Sequence, residues 1–170
     1  MRVARRLLIL ARFVVLTALV LGAVAVADHW VSWLTLAGAL GPTSYMLIAH
    51  PSSASSRLRS ALAGHTLAFA IGLVGVAAWG GWGHTFLGSH RPSLGQTAAT
   101  ALAAGLLLAL LEILDLHHAP AAATVILIAS ALVPVGRPLA GLAIALAAVI
   151  VLSAALAKAW PAPPGTERAP

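Results

Sequence analysis

Cysteine is absent from the chain, which excludes a disulfide framework, a Cys-ligated zinc site and a thiol nucleophile. Charge is nearly as scarce. Only 8% of the 170 residues are Asp, Glu, Lys or Arg, where a soluble domain carries about 25%. That leaves too little polar surface to cover a globule in water, so the solvent for most of this chain is lipid. Common enzyme signatures are missing as well: there is no HExxH, no G-x-S-x-G and no glycine-rich phosphate loop. We therefore expect no enzymatic activity, no cofactor and no metal. The net charge of +6 comes without an aromatic-interleaved basic patch, so a nucleic-acid partner is not expected either.

What is present is 61% hydrophobic residues arranged in runs. Six apolar segments stand out: Leu7–Ala27, Val31–Ala49, Ser60–Ala78, Gln96–Leu116, Pro120–Pro134 and Leu139–Ala157. A span needs roughly 17 to 25 residues. Five segments qualify, and Pro120–Pro134, with 15 residues, is short for crossing alone. The pattern predicts an all-α polytopic bundle, one transmembrane domain over residues 1–160. The proline-rich "PAPPGTERAP" at 161–170 follows as a disordered tail.

With the N-terminus inside, Arg2, Arg5, Arg6, Arg12, Arg57, Arg59, Lys158 and Arg168 fall on the cytoplasmic side, and Arg91 and Arg137 outside. This bias predicts a multi-pass protein of a bacterial-type plasma (inner) membrane with both termini cytoplasmic. "RVARR", an apolar run and "AVA" before Asp28 also fit a cleaved signal peptide, but the run is long for one and Arg12 interrupts it. His84 and His90 share an external loop without a third ligand, which points to solvated side chains. Trp79 and Trp82 are placed to anchor at the interface. Gly64, Ala68 and Gly72, and likewise Ala101, Gly105 and Ala109, recur every four residues, faces that let helices approach closely in lipid. Six short segments bury little surface, which favours a homo-oligomer.

"GPTSYMLIAHPSS" with "RSALAG" resembles "APAAATVILIAS" with "RPLAG", at offsets of 78 residues (Pro42 to Pro120) and 77 (Gly64 to Gly141). Three segments per half would give the halves opposite orientation, as in secondary transporters built from inverted repeats. Biased composition aligns cheaply with itself, so chance similarity is the competing explanation. Pro42 and Pro120 each read as helix starts, where following N–H groups and the helix dipole favour an anion. Gly41, Pro42, Thr43 and Ser44 on one side, and His118, Pro120 and Thr124 on the other, would frame a small one. Two ordinary proline-initiated helices would look the same.

Glu112, Asp115 and His118 follow at intervals of three, on one helical face. Glu112 either relays protons with His118 or pairs with His65 to hold two helices together; Asp115 is a second relay candidate or an interfacial residue. In "HPSSASSRLR", Ser52, Ser53 and Arg57 either line the inner mouth of an anion path or belong to a solvated linker.

"GPTSYMLIAHPSS" followed by "AGH", and "HHAPAAAT" before an apolar run, resemble the HPP family of integral membrane proteins. That family is named for a His-Pro-Pro motif that typically continues Gly-Gly-Ala-Thr. In the stretch His118-Ala119-Pro120-Ala121-Ala122-Ala123-Thr124 the His, second Pro, last Ala and Thr match, while Ala replaces the first Pro and both Gly. Pro51-Ser52-Ser53 and Gly64-His65 match the family's Pro-Ser-Ser and Gly-His. The resemblance runs from about Leu34 to Ala157. Some members of the family are implicated in nitrite transport, so the resemblance implies a transporter or channel for a small inorganic anion, passive or proton-coupled. His118 would supply a proton-dependent charge near the site. The competing class is a non-transporting membrane scaffold or assembly protein.

Overall fold

The computed structural model describes residues 2–27, 36–83 and 91–161, and these contain helices and turns but no strand. Lipid offers no hydrogen-bond partners, so the backbone of an apolar segment must satisfy its own N–H and C=O groups, which a helix does. In order these are α1 (Arg2–Ala27), a π-helical turn (Leu36–Leu40) running into α2 (Gly41–Ala49), and a 3-10 turn (Ala54–Ser56). Then follow α3 (Leu58–Ala78), α4 (Leu94–Ile113), α5 (Ala121–Ala129) and α6 (Arg137–Ala159). The expected outer-loop histidines, His84 and His90, and nearly all of the expected disordered tail lie outside the described residues.

Among the described residues three helices, α3, α4 and α6, are long and apolar enough to cross a membrane. Their ends follow local chemistry. Ser93 caps α4 by accepting the Gln96 N–H at 3.1 Å. Gly136, at φ +124°, hands over to α6, whose first turn carries Pro138. Past Leu114, Asp115 enters the left-handed region at φ +54°, Asp115 N–H donates to Glu112 C=O and Leu116 N–H to Leu111 C=O. That is a Schellman stop, and Leu116 buries beside Leu111 to complete it.

The helices form two interlocked groups. α3 packs against α4 and α5, which pack against each other; α6 packs against α1 and α2, which also pack against each other. One apolar cluster joins α1 (Leu16, Val20), the π-turn and α2 (Ala39, Leu40, Ile48), α5 (Leu127, Ile128) and α6 (Leu142, Val149). A second joins α3, α4 and α5 through Ala68, Leu107 and Val125. Arg12, buried on α1, ties that helix to the ends of α2 and α6 by donating from Nε to Trp160 C=O at 2.6 Å and from Nη1 to Ile48 C=O at 2.9 Å.

The short fifth segment contains a helix of nine residues, about 14 Å at 1.5 Å per residue, too short to cross about 30 Å. It lies parallel to α3: Gly64 faces His118 and Ala121, Gly72 faces Ile128, and Gly75 faces Ala129. Its non-helical ends extend the reach. His118 touches the loop ahead of α3, while Ala129 and Ser130 carbonyls accept from Trp79 Nε1 and Gln96 Nε2, both at 2.8 Å. Irregular backbone at this depth is tolerated because Leu116, His118, Pro120, Ala131 and Val133 are buried in protein. Trp79, expected as an interfacial anchor, also bonds the end of α5 through its indole N–H.

The glycine stripe of α3 packs as expected, with Gly64 and Gly72 buried against α5 and its approach. The matching stripe of α4 does not. Ala101, Gly105 and Ala109 are exposed, and a Cβ on Gly105 would meet nothing within 4 Å. Arg12, Arg57, Arg59 and Lys158 gather at the end of the bundle where α2 and α6 finish and α3 begins, with Arg91 and Arg137 at the other.

Candidate functional site

Where α2, α3 and the approach to α5 meet, four polar side chains are shut away from the surface. Thr43 and Thr124 are 0% exposed, His118 1% and His65 4%. Each arrives by a different route. Thr43 stands in the first turn of α2 with its hydroxyl donating to Ala39 C=O at 2.8 Å, inside the π-turn. His65 lies two turns into α3, beside Gly64, whose missing Cβ admits the chain at His118 and Ala121. His118 sits in the turn between α4 and α5, and Thr124 one turn into α5.

His65 is the hub. Its Nε2 lies 3.0 Å from Thr43 Oγ1 and 3.2 Å from His118 Nε2, and its Nδ1 lies 2.9 Å from Thr124 Oγ1. His118 Nδ1 is 2.8 Å from the Ser55 carbonyl. Four elements are thereby joined through two imidazoles without a carboxylate or a fixed charge. Ser44, also buried, turns about 100° away from Thr43 and its hydroxyl has no partner among the described residues.

Of the residues expected to frame an anion, Thr43, His118 and Thr124 come together, joined by His65. Pro42 lies in the first turn of α2 and Pro120 immediately precedes α5, as the sequence suggests. The π-turn nevertheless leads straight into α2, and Leu40 already has helical dihedrals. Pro42 itself is exposed, and Gly41 is half-buried. At the other start, the N–H groups of Ala121, Ala122 and Ala123 donate to the carbonyls of His118, Ala119 and Pro120 at 3.1, 2.9 and 3.2 Å. These donors are already engaged, so a pair of bare helix ends does not make the site.

The acids are elsewhere. Glu112 is exposed, and neither His65 nor His118 has a carboxylate within hydrogen-bonding distance among the described residues. Asp115, exposed, ends α4 and pairs with His117 at 3.3 Å. Neither acid therefore contacts His65 or His118 in this structure. Ser52 and Arg57 are exposed, while Ser53 Oγ meets Ser56 Oγ at 2.9 Å and Ser56 donates to Met46 C=O at 2.7 Å. These bonds hold the loop so that Ser55 presents its carbonyl to His118. Ser55 carried no sequence signal, because its contribution is a backbone oxygen.

A cavity of about 230 Å³ between α3 and α6 reaches His65, lined also by Leu62, Phe69, Leu146 and Ile150. A second, of about 370 Å³, opens between α4 and α5 beside Gln96, Thr100 and Ser130. No group of three or more metal-ligating side chains converges among the described residues.

No curated protein and no solved structure matches the chain. A family model described as "HPP, transmembrane region" matches residues 3–161, nearly the whole length and including all four side chains of the network. The histidine, proline and threonine of the variant motif at 118–124 are thus two network residues and the buried turn between them, and the chain belongs to the HPP family of transmembrane proteins.

Proposed function

We propose that this protein is a membrane transporter for a small inorganic anion of nitrite's size and charge, and that the His65–His118 network is where the ion is met. The observation that carries the reading is a buried pair of imidazoles bordered by a cavity. Polar groups inside a membrane bundle are costly and are kept chiefly for function. A cavity of about 230 Å³ has room for an anion with several waters at about 30 Å³ each, and His65 is the polar side chain at its wall that belongs to the network. An imidazole gains positive charge only on taking up a proton, which suits it to meet an anion transiently without trapping it.

Two further features support it. The nine-residue helices α2 and α5 occupy corresponding places in the two halves of the chain, and exchanging α1, α2 and α3 with α4, α5 and α6 leaves the pattern of helix contacts unchanged. We take the halves as inverted repeats, whose interface is where secondary transporters bind their cargo. The HPP resemblance points the same way, since some members of that family are implicated in nitrite transport. The basic end of the bundle would face the cytoplasm, with both termini there.

One observation favours a second reading, that of an assembly scaffold: the small-residue face of α4 is turned outward and left uncovered. Uptake of nitrite into proteoliposomes, for the wild type and for His118→Ala, separates the two. Transport predicts flux above empty liposomes that falls at least tenfold in the variant. Folded protein that moves neither nitrite, nitrate nor formate leaves the scaffold.

A further inference from the structure

Each hydrogen in the network has one place to go. The Ser55 carbonyl only accepts, so His118 Nδ1, 2.8 Å away, carries a hydrogen. A neutral His118 then has a bare Nε2, and the hydrogen in the 3.2 Å contact between the rings belongs to His65 Nε2. That N–H is shared with Thr43 Oγ1 at 3.0 Å, whose own hydrogen goes to Ala39. His65 Nδ1 is therefore bare and accepts the Thr124 hydroxyl hydrogen over 2.9 Å. No other arrangement of two neutral rings satisfies every contact.

One added proton fits this arrangement and two do not. A proton arriving at His65 Nδ1 requires only that the Thr124 hydroxyl rotate from donor to acceptor. The hydrogen between the two Nε2 atoms then lies on either ring, so the charge is shared. A second proton would set N–H against N–H across 3.2 Å. Among the described residues nothing nearby would offset it: α4 presents Leu111 with Glu112 exposed, α5 presents Ala121 and Thr124, and α2 presents Thr43. The loop presents a carbonyl with Arg57 exposed, and α6 reaches the cavity beside His65 with Leu146 and Ile150. His50 is occupied with Tyr45 and His117 with Asp115, both at the exposed surface.

We infer that His65 and His118 together hold one exchangeable proton, and that this proton, entering at His65, accompanies the anion one for one. The inference rests on the transporter reading for its second half. Its chemistry is proton transfer alone: one N–H bond forms at His65 Nδ1, and the hydrogen between the rings exchanges one N–H bond for another. A monovalent anion moving with one proton carries no net charge across the membrane.

The test is nitrogen-15 NMR of the histidine-labelled protein in lipid bilayers, titrated downward from about pH 8, through the range of unperturbed imidazoles, to the lowest pH at which the fold persists. The His65 and His118 signals are assigned with His118→Asn or, if that variant does not fold, with Thr124→Val, which removes the hydroxyl at His65. We expect His118 as the Nδ1–H tautomer and His65 as Nε2–H at high pH, then a single imidazolium shared between them. Two imidazolium signals, or none, overturn the inference. In the same bilayers nitrite uptake is followed at zero and at an imposed membrane potential, with equal rates expected; a several-fold dependence on voltage overturns one-for-one coupling. A one-proton titration without nitrite flux overturns the coupling through failure of the transport reading, whereas flux beside two imidazoliums overturns the shared proton alone.

Discussion

His65 and His118 meet Nε2 to Nε2 at 3.2 Å, ring centroids 4.9 Å apart and ring planes inclined by 71°. The contact joins a transmembrane helix to the turn between two others, and it needs the bare Cα of Gly64, where a Cβ would stand 3.2 Å from that of His118. One imidazole thus braces α2 through Thr43 and α5 through Thr124, so the polar site is also a structural joint.

Replacing that joint with an apolar ring should cost stability. His65→Phe leaves the Thr124 hydroxyl and His118 Nε2 buried without partners, and each such group costs about 1–3 kcal/mol. Thermal unfolding in detergent should show a clearly lowered midpoint, with partial recovery in His65→Gln, whose amide can still donate and accept. An unchanged midpoint for His65→Phe would mean that the network contributes nothing to folding.

The two glycine stripes make opposite predictions. At Gly72 a Cβ would fall 2.8 Å from Ile128 Cβ, so Gly72→Ala forces α3 and α5 apart, at about 1–3 kcal/mol. At Gly105 the space is open, and Gly105→Ala should be neutral or gain up to about 1 kcal/mol from helix propensity. Unfolding midpoints of the two variants test the pair. If Gly105→Ala instead lowers stability and dissociates an oligomer, the outward face of α4 is an interface between copies.

Much of this architecture is legible in composition because lipid enforces it. Long apolar runs bounded by Arg, Pro and Gly must be helices, and the expected segments agree with α3, α4 and α6 to within three residues at each end. The site was only partly legible. Thr43, His118 and Thr124 stand out as polar residues beside prolines, and His65 as a histidine inside an apolar run. That His65 joins the other three depends on helix packing, which spacing along one chain cannot supply. The prolines do mark where α2 and α5 begin, but the rule says nothing of what precedes them: a π-turn runs into α2, and local carbonyls already hold the first N–H groups of α5. Asp115 was read by its charge, whereas its backbone angle explains its place.

That angle gives a discriminating variant. At φ +54° most L residues are strained by about 1–2 kcal/mol, while Gly is not and Asp is among the better tolerated. Asp115→Gly should therefore leave stability equal or slightly raised and leave anion uptake at the wild-type rate, while Asp115→Ala lowers the unfolding midpoint. Loss of uptake in both variants, with the fold intact, would return Asp115 to the proton path.

Arg12 presents the strongest case of a charge kept inside for structure. Helix C-termini carry unsatisfied carbonyls and partial negative charge, and its guanidinium donates to one such carbonyl near the end of α2 and another just beyond α6. Hydrogen bonds from a charged donor contribute about 1.5–3 kcal/mol each. Arg12→Met should thus detach α1 from both ends and lower the unfolding midpoint strongly. Arg12→Lys should recover less than half of the loss, because a single ammonium cannot reproduce the planar fork that reaches both oxygens at once. Limited proteolysis gives an independent readout, with cleavage near Trp160 accelerated in both variants and more in Arg12→Met. Full recovery by lysine would show that charge alone, without the fork geometry, holds α1 to the two helix ends.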